Sequence, residues 1–279
     1  MTRPNVGEIG VWLRYQDFTP EFASALEELG YGTLWLGGSP DGHLQDVERV
    51  LNATSKVAVA TGIVNIWKDD AATVAASFRR IEAAHPGRFL LGIGAGHREQ
   101  IGDRYVRPYE KLVQYLDVLD AEGVPQDQRV LAALGPRVMR LAADRAAGAH
   151  PYFTDPGHTR EARTILGAGP LLAPEQKAIL VTDPAQARSI ARPTLGFYKS
   201  AVNYANNFRR MGYTDEDLAG EGSDRLVDGL FAYGTPAAVA ARVREHLSAG
   251  ADHVCVQLLP AAGQDLLDGY RTLAAEFFG

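Results

Sequence analysis

Two histidines stand directly after short apolar runs. His97 closes the stretch from Phe89-Leu90-Leu91-Gly92-Ile93 through Gly94-Ala95-Gly96, and His150 follows Ala149. An imidazole at the end of a buried strand can take a proton from a substrate or give one near neutral pH. A hydrogen-bonded core histidine is the competing reading for both. His43 lies near the exit of a third run, Thr33-Leu34-Trp35-Leu36, after Gly37-Gly38-Ser39-Pro40-Asp41-Gly42. His85 precedes Pro86-Gly87 in a helix-to-strand turn at the opposite ends of the strands. His158 and His246 read as helix-surface residues, and His253 as the start of the last strand. Asp17, Asp41 and Glu99 sit a few residues into their loops. A glycosidase needs two carboxylates at strand ends, so that reading is weakly supported and stays open. No H-x-H or H-E-x-x-H occurs, and no metal site is expected. Cys255 is the one cysteine, enclosed in Val254-Cys255-Val256, so no intrachain disulfide can form.

Glycine marks two further candidates. Gly135-Pro136-Arg137 combines a tight turn, a helix start and a guanidinium, which suits a phosphate. An ordinary strand–helix turn with an exposed arginine explains it equally well. Leu91-Gly92-Ile93-Gly94-Ala95-Gly96 carries a G-x-G-x-G pattern. Its third glycine is misplaced for a dinucleotide fingerprint and no helix opens directly after it, which excludes a Rossmann reading. What remains is a backbone wall against a flat ring, or a tight turn.

Such groups need a frame, and the chain alternates short β-branched runs with helical patterns. Strands are expected at Ile9–Leu13, Thr33–Leu36, Val57–Ile63, Phe89–Ile93, Val130–Leu134, a short segment at Ala149–His150, Lys177–Val181 and His253–Leu259. Helices are expected at Pro20–Leu29 behind Thr19, His43–Asn52, Ala71–Ala83, Tyr105–Ala121, Pro136–Ala146, Ala185 to about Arg210 with Pro193 as its break point, Pro236–Leu247 behind Thr235, and Asp265–Phe278. Strand runs with few polar residues are buried on both faces, as in a parallel sheet. Close to eight such units over 279 residues predict a single (β/α)8 barrel domain spanning residues 1–279. The region from Gly196 to Leu230 is an insertion before the last unit. The working face of a barrel lies at the C-terminal ends of its strands, where His97, His150, the glycine turns, Trp12 and Trp67 fall.

Composition narrows the functions. Hydrophobic residues at 46% and charged residues at 22% fit a globular protein with a large core. A net charge of −6 argues against nucleic acid as a partner. No apolar run reaches the ~18 residues of a membrane span, and Met1-Thr2-Arg3-Pro4-Asn5 opens no signal-type stretch. A cytoplasmic location and a small-molecule substrate are expected.

Four segments, in order, resemble the luciferase-like oxidoreductases, in particular the branch using the deazaflavin coenzyme F420. They are Thr61-Gly62-Ile63-Val64-Asn65-Ile66, Arg88 to His97, Leu134 to Ala143, and Gly234-Thr235-Pro236-Ala237-Ala238-Val239 with Gly250-Ala251-Asp252-His253-Val254. The resemblance implies a (β/α)8 barrel with the ring at the C-terminal face, a non-proline cis peptide at Gly62–Ile63 behind it, and a homodimer. Ring and tail would then lie along Gly62, Ile63, Asn65, Gly94, Gly96, His97, Gly135, Pro136 and Arg137. The substrate is expected beside Trp12, Trp67, His150, Tyr152 and the insertion. Some members carry an acidic residue or a histidine just after the second strand, where this chain has Gly37-Gly38-Ser39. His97 or His43 is therefore the expected proton donor. An FMN-dependent monooxygenase of the same fold and a deazaflavin-binding barrel without turnover are the alternatives.

Overall fold

The computed structural model describes residues 3–279; Met1 and Thr2, the start of the N-terminal segment read above, lie outside it. Eleven strand segments appear: β1 (Ile9–Arg14), β2 (Thr33–Gly37), β3 (Ala58–Gly62), β4 (Val64–Asn65), β5 (Phe89–Gly94), β6 (Arg129–Leu131), β7 (Gly148–Ala149), β8 (Leu171–Leu172), β9 (Glu175–Ile179), β10 (Phe231–Tyr233) and β11 (Val254–Leu258). All pair in parallel, in the order β10-β9-β11-β1-β2-β3-β5-β6-β7-β8, with β4 also on β5. β8 and β9 are successive pieces of one segment. On one edge Leu171 and Ala173 N–H groups donate to Ala147 and Ala149 O; on the other, Cys255 N–H donates to Pro174 O and β11 pairs β9. The sheet therefore closes on itself with eight strand positions, the (β/α)8 barrel the alternation predicts.

Period two sorts each strand between two cores. In β1, Ile9, Val11 and Leu13 join the layer packed by the helices. Trp12 points inward with Trp35, Ala60, Leu90, Val130 and Cys255. Outer helices start where the chain offers a cap: Thr19, Asp70, Asp155, Asp183, Thr235 and Asp265 each accept an N–H from three residues on.

Several boundaries differ from expectation, each for a local reason. The helix expected from His43 runs Gln45–Ala53, because Leu44 adopts φ +56°. The helix expected from Tyr105 spans Pro108–Ala121, because Arg107 is left-handed and Pro108 opens the helix. Pro193 does not break the long helix. It lies inside Pro184–Lys199, and the break falls at Ser200–Ala201, where Ser200 Oγ donates to Phe197 O (2.7 Å) and Ala201 turns extended. A second helix, Val202–Arg210, follows, and the insertion ends in β10, which pairs the outer edge of β9.

His158 and His246 are not on helix surfaces. Both are buried, and each meets at least one partner from a neighbouring segment. His158 Nε2–H donates to Leu134 O (2.9 Å). His246 accepts from Thr159 Oγ1 (2.7 Å) and donates to Gln176 Oε1 (3.0 Å). His253 stands at the start of β11, as expected; it donates to Gly7 O and accepts from Trp35 Nε1–H. No helix among the described residues is long and apolar enough to cross a membrane.

Candidate active site

The upper end of the barrel is built around the indole of Trp12. Glycines at the ends of β2 and β3 give it room: a Cβ at Gly37 would fall inside the ring, and one at Gly62 would come 2.6 Å from Nε1. Tyr152 leans on the indole at 4.9 Å between centroids. Below Gly62 lies His150, stacked on Trp35 at 4.1 Å. Its Nδ1–H donates to Ala173 O (2.7 Å), so Nε2, without a protein partner, keeps its lone pair. Burial pushes its pKa down to about 4, so the ring is neutral at pH 7. Trp12, His150 and Tyr152 thus form one buried column that supports the site from below. Trp67, the fourth expected substrate contact, stands apart against Tyr105 (5.6 Å).

Beside this column runs a groove of half-exposed residues, including Gly62, Ile63, Gly96 and His97. The Gly62–Ile63 bond is cis, as the resemblance implies. Asn65 fixes the wall: its Oδ1 accepts from Trp67 N–H (3.0 Å), and its Nδ2 lies 2.5 Å from where a Cβ of Gly96 would be. Gly94 backs onto Ile63 and Ala132 with room for no side chain. A flat ring can approach such a wall closely.

Gly135 is the N-cap of the Pro136–Arg145 helix and makes no side-chain cap. The first amides of that helix are free for an anion. The exposed Arg137 guanidinium lies over the Tyr109 ring (3.6 Å) and pairs with Glu110 (3.2 Å). Arg210, from the insertion, stands at this helix start. It would meet a Cβ at Gly135 at 3.4 Å and is steadied by Asn207 Oδ1 (2.8 Å).

His97 sits where the insertion meets the groove. Its Nδ1–H donates to Asn203 Oδ1 (3.4 Å), and its ring packs on Tyr204 (5.3 Å). Burial lowers its pKa below 6.5, against the opposing pull of Asn203 and Glu99. Glu99 is spent on Val202 N–H (3.0 Å), a bond that lowers its carboxyl pKa. His43 is exposed, its amide donating to Asp41 and its carbonyl accepting from Arg80, and neither contact joins it to His97. Asp17, Asp41 and Glu99 share no hydrogen bond or ion pair that would make an acid–base couple.

One cluster escaped the sequence. Glu175 and Lys177, two apart on β9, both point into the barrel and are fully buried. Lys177 Nζ donates to Glu175 Oε1 (3.1 Å) and Oε2 (3.0 Å) and stands 3.7 Å over the Tyr152 ring. Burial pulls the lysine down to about 8 and pushes the glutamate up. The only available signal was the period-two spacing of opposite charges in a strand run. A separate cavity of about 760 Å³ opens beside the Pro184–Lys199 helix, outside the mouth, and its arginines Arg188 and Arg192 are ion-paired to Asp224.

Comparisons with known proteins bear on the fold. Residues 10–122 match the family described as luciferase-like monooxygenase. The chain is 23% identical over 254 residues to the 5,10-methylenetetrahydromethanopterin reductase of Archaeoglobus fulgidus, covering 72% of this chain and 76% of that one. Its fold matches an F420-dependent secondary alcohol dehydrogenase with TM-score 0.73 at 14% identity, over 96% of this chain and 97% of the other. It also matches the FMN-bound oxygenating constituent of 3,6-diketocamphane monooxygenase from Pseudomonas putida, with TM-score 0.66 at 14% identity, over 96% of each. The family match covers the N-terminal two-fifths of the chain, and the structural matches extend the shared barrel fold over nearly all of it.

Proposed function

We propose that this protein is an F420-dependent oxidoreductase that passes a hydride between the deazaflavin ring and a small organic substrate. The observation that carries the reading is the uncapped helix N-terminus at Gly135 faced by Arg210, on the same insertion helix whose Asn203 meets His97 beside the partly exposed Gly62, Ile63 and Gly96. A flat ring with a phosphate-bearing tail has that shape and charge. The reductase relative and the alcohol dehydrogenase fold, both F420-linked or reductive by name, support the same choice.

When bound, the deazaflavin accepts or gives the hydride. The chain supplies the rest. Gly62, Ile63, Asn65 and Gly96 would seat the ring, and the Gly135 amide with Arg210 would hold the anionic tail. His97 is neutral at pH 7, with Nε2 free to take a proton. It therefore serves substrate oxidation as a base, and donates in reduction once protonated. Tyr198 and Tyr204 of the insertion pack over this corner and keep water from it.

Fluorescence titration with F420 and FMN in parallel tests the reading. Micromolar or tighter F420 binding is expected; binding of neither ring defeats it. A preference for FMN with oxygen uptake favours the monooxygenase, the second reading, which the family match supports. Tight F420 binding with no ring reduction by any donor marks a carrier instead.

A further inference from the structure

We infer that the buried Glu175–Lys177 pair is a positioning device for the ring seat, acting by holding the Tyr152–Phe153 turn against Trp12. The inference rests on the reading of the Gly62–Gly96 groove as that seat. Phe153 has φ +59°, a left-handed backbone that a bulky residue adopts only under constraint. The constraint is visible: Phe153 N–H donates to Glu175 Oε2 (3.0 Å), and Lys177 holds both oxygens of that carboxylate. The same ammonium lies over the rings of Tyr152 (3.7 Å) and Phe153 (4.2 Å). From there the chain of contacts runs in one direction. Tyr152 leans on Trp12, and Trp12 fills the space left by Gly37 and Gly62, the floor of the groove. Tyr152 is further tied at its hydroxyl, which donates to Gln257 Oε1 (2.8 Å) and accepts from Tyr198 (3.2 Å).

A fully buried ion pair is a poor source of stability, because desolvating both ions offsets their attraction. Its removal as a pair is tolerated, whereas removal of one member strands a charge. What no apolar pair supplies is an acceptor for Phe153 N–H. Glu175 and Lys177 touch no reacting atom on this account; they act through Tyr152 and Trp12.

Two double variants separate the roles. E175Q/K177M removes both charges and keeps an acceptor facing Phe153 N–H. E175L/K177M removes both charges and the acceptor. Three quantities are read on the full chain: melting temperature, hydrogen exchange over residues 151–155, and affinity for the ring that the wild type binds. The glutamine double is expected to match wild type in exchange and affinity. In the leucine double, exchange over 151–155 should speed and affinity fall, each by about tenfold, with a melting temperature near that of its sister. Equal exchange and equal affinity in the two doubles would overturn the inference, as would an affinity loss that tracks melting temperature in both. Should the leucine double not fold, Glu175→Asp keeps both charges and withdraws the acceptor. Faster exchange over 151–155 is then the supporting result and unchanged exchange the opposing one. If the wild type binds neither F420 nor FMN, the proposed function falls by itself. Hydrogen exchange then decides whether the pair holds the turn.

Discussion

The Arg210 guanidinium stands over Gly135, 3.4 Å from the place a Cβ would occupy, at a helix start that has no side-chain cap. A helix from the insertion thus lends its charge to a helix of the barrel. Arg210→Gln should weaken binding of a phosphate-bearing ring cofactor by about tenfold, the scale of one charge-assisted hydrogen bond. The loss should shrink at high salt as exposed charge is screened. Arg137→Gln should leave affinity near that of wild type, since Arg137 is engaged with Tyr109 and Glu110. Titrations at low and high ionic strength check both.

His97 should set the acid limb of turnover in the oxidising direction. Its pKa lies below 6.5, so the unprotonated form that can take a proton fills as pH rises through that value. The rate should rise over the same window and level off by neutral pH. His97→Asn should flatten the limb and lower kcat by about a hundredfold. An imidazole NMR titration gives the pKa to compare with the kinetic one; a limb unchanged in the variant would remove His97 from the chemistry.

The frame was legible because its causes are local. Period-two strands such as Ile9 to Leu13 and caps such as Thr19 and Thr235 act within a few residues, and they appear where the sequence places them. Arg210 was not legible, because Gly135 comes from elsewhere in the chain, and Glu175 with Lys177 was not, because charged residues default to the solvent face of a strand and only the closed barrel buries both. A guanidinium after a helix start looks like a phosphate ligand until Tyr109 and Glu110 take it. His158 and His246 sat in helical patterns whose polar positions point outward by default. Nothing in the spacing announces that Leu134 O and Gln176 wait on the inner side. Pro193 is the reverse case: a local breaker that the helix absorbs, while Ser200 ends it.

Gly37→Ala should be costly for a surface-end strand position. The added methyl would enter the Trp12 indole, and overpacking of that kind costs about 1–3 kcal/mol or more. Trp12→Phe shortens the side chain on the clashing side and should recover part of the loss. A double-mutant cycle on urea unfolding should give a coupling of about 1 kcal/mol or more between the two positions. Simple additivity would mean that the indole yields elsewhere.

Acid should destabilise the fold well before its carboxylates protonate. Burial holds His150 and His253 at about 4 and His246 at about 3, against an ordinary value of 6.5. Each is neutral in the native state because burial disfavours the charged ring, outweighing for His150 and His253 the bonds to Ala173 O and Gly7 O that favour it. Between pH 6.5 and about 4 the unfolded chain therefore binds protons that the native chain refuses. Stability is complete above pH 6.5 and declines as pH falls toward 4, at up to about 1.4 kcal/mol per pH unit for each histidine. Urea unfolding at pH 7 and pH 5 should show a drop of several kcal/mol. Replacing His246 by Gln, whose amide can meet Thr159 but cannot take up a proton, should reduce the slope by about one proton's worth. An unchanged slope in that variant would mean that His246 titrates alike in the folded and unfolded chains.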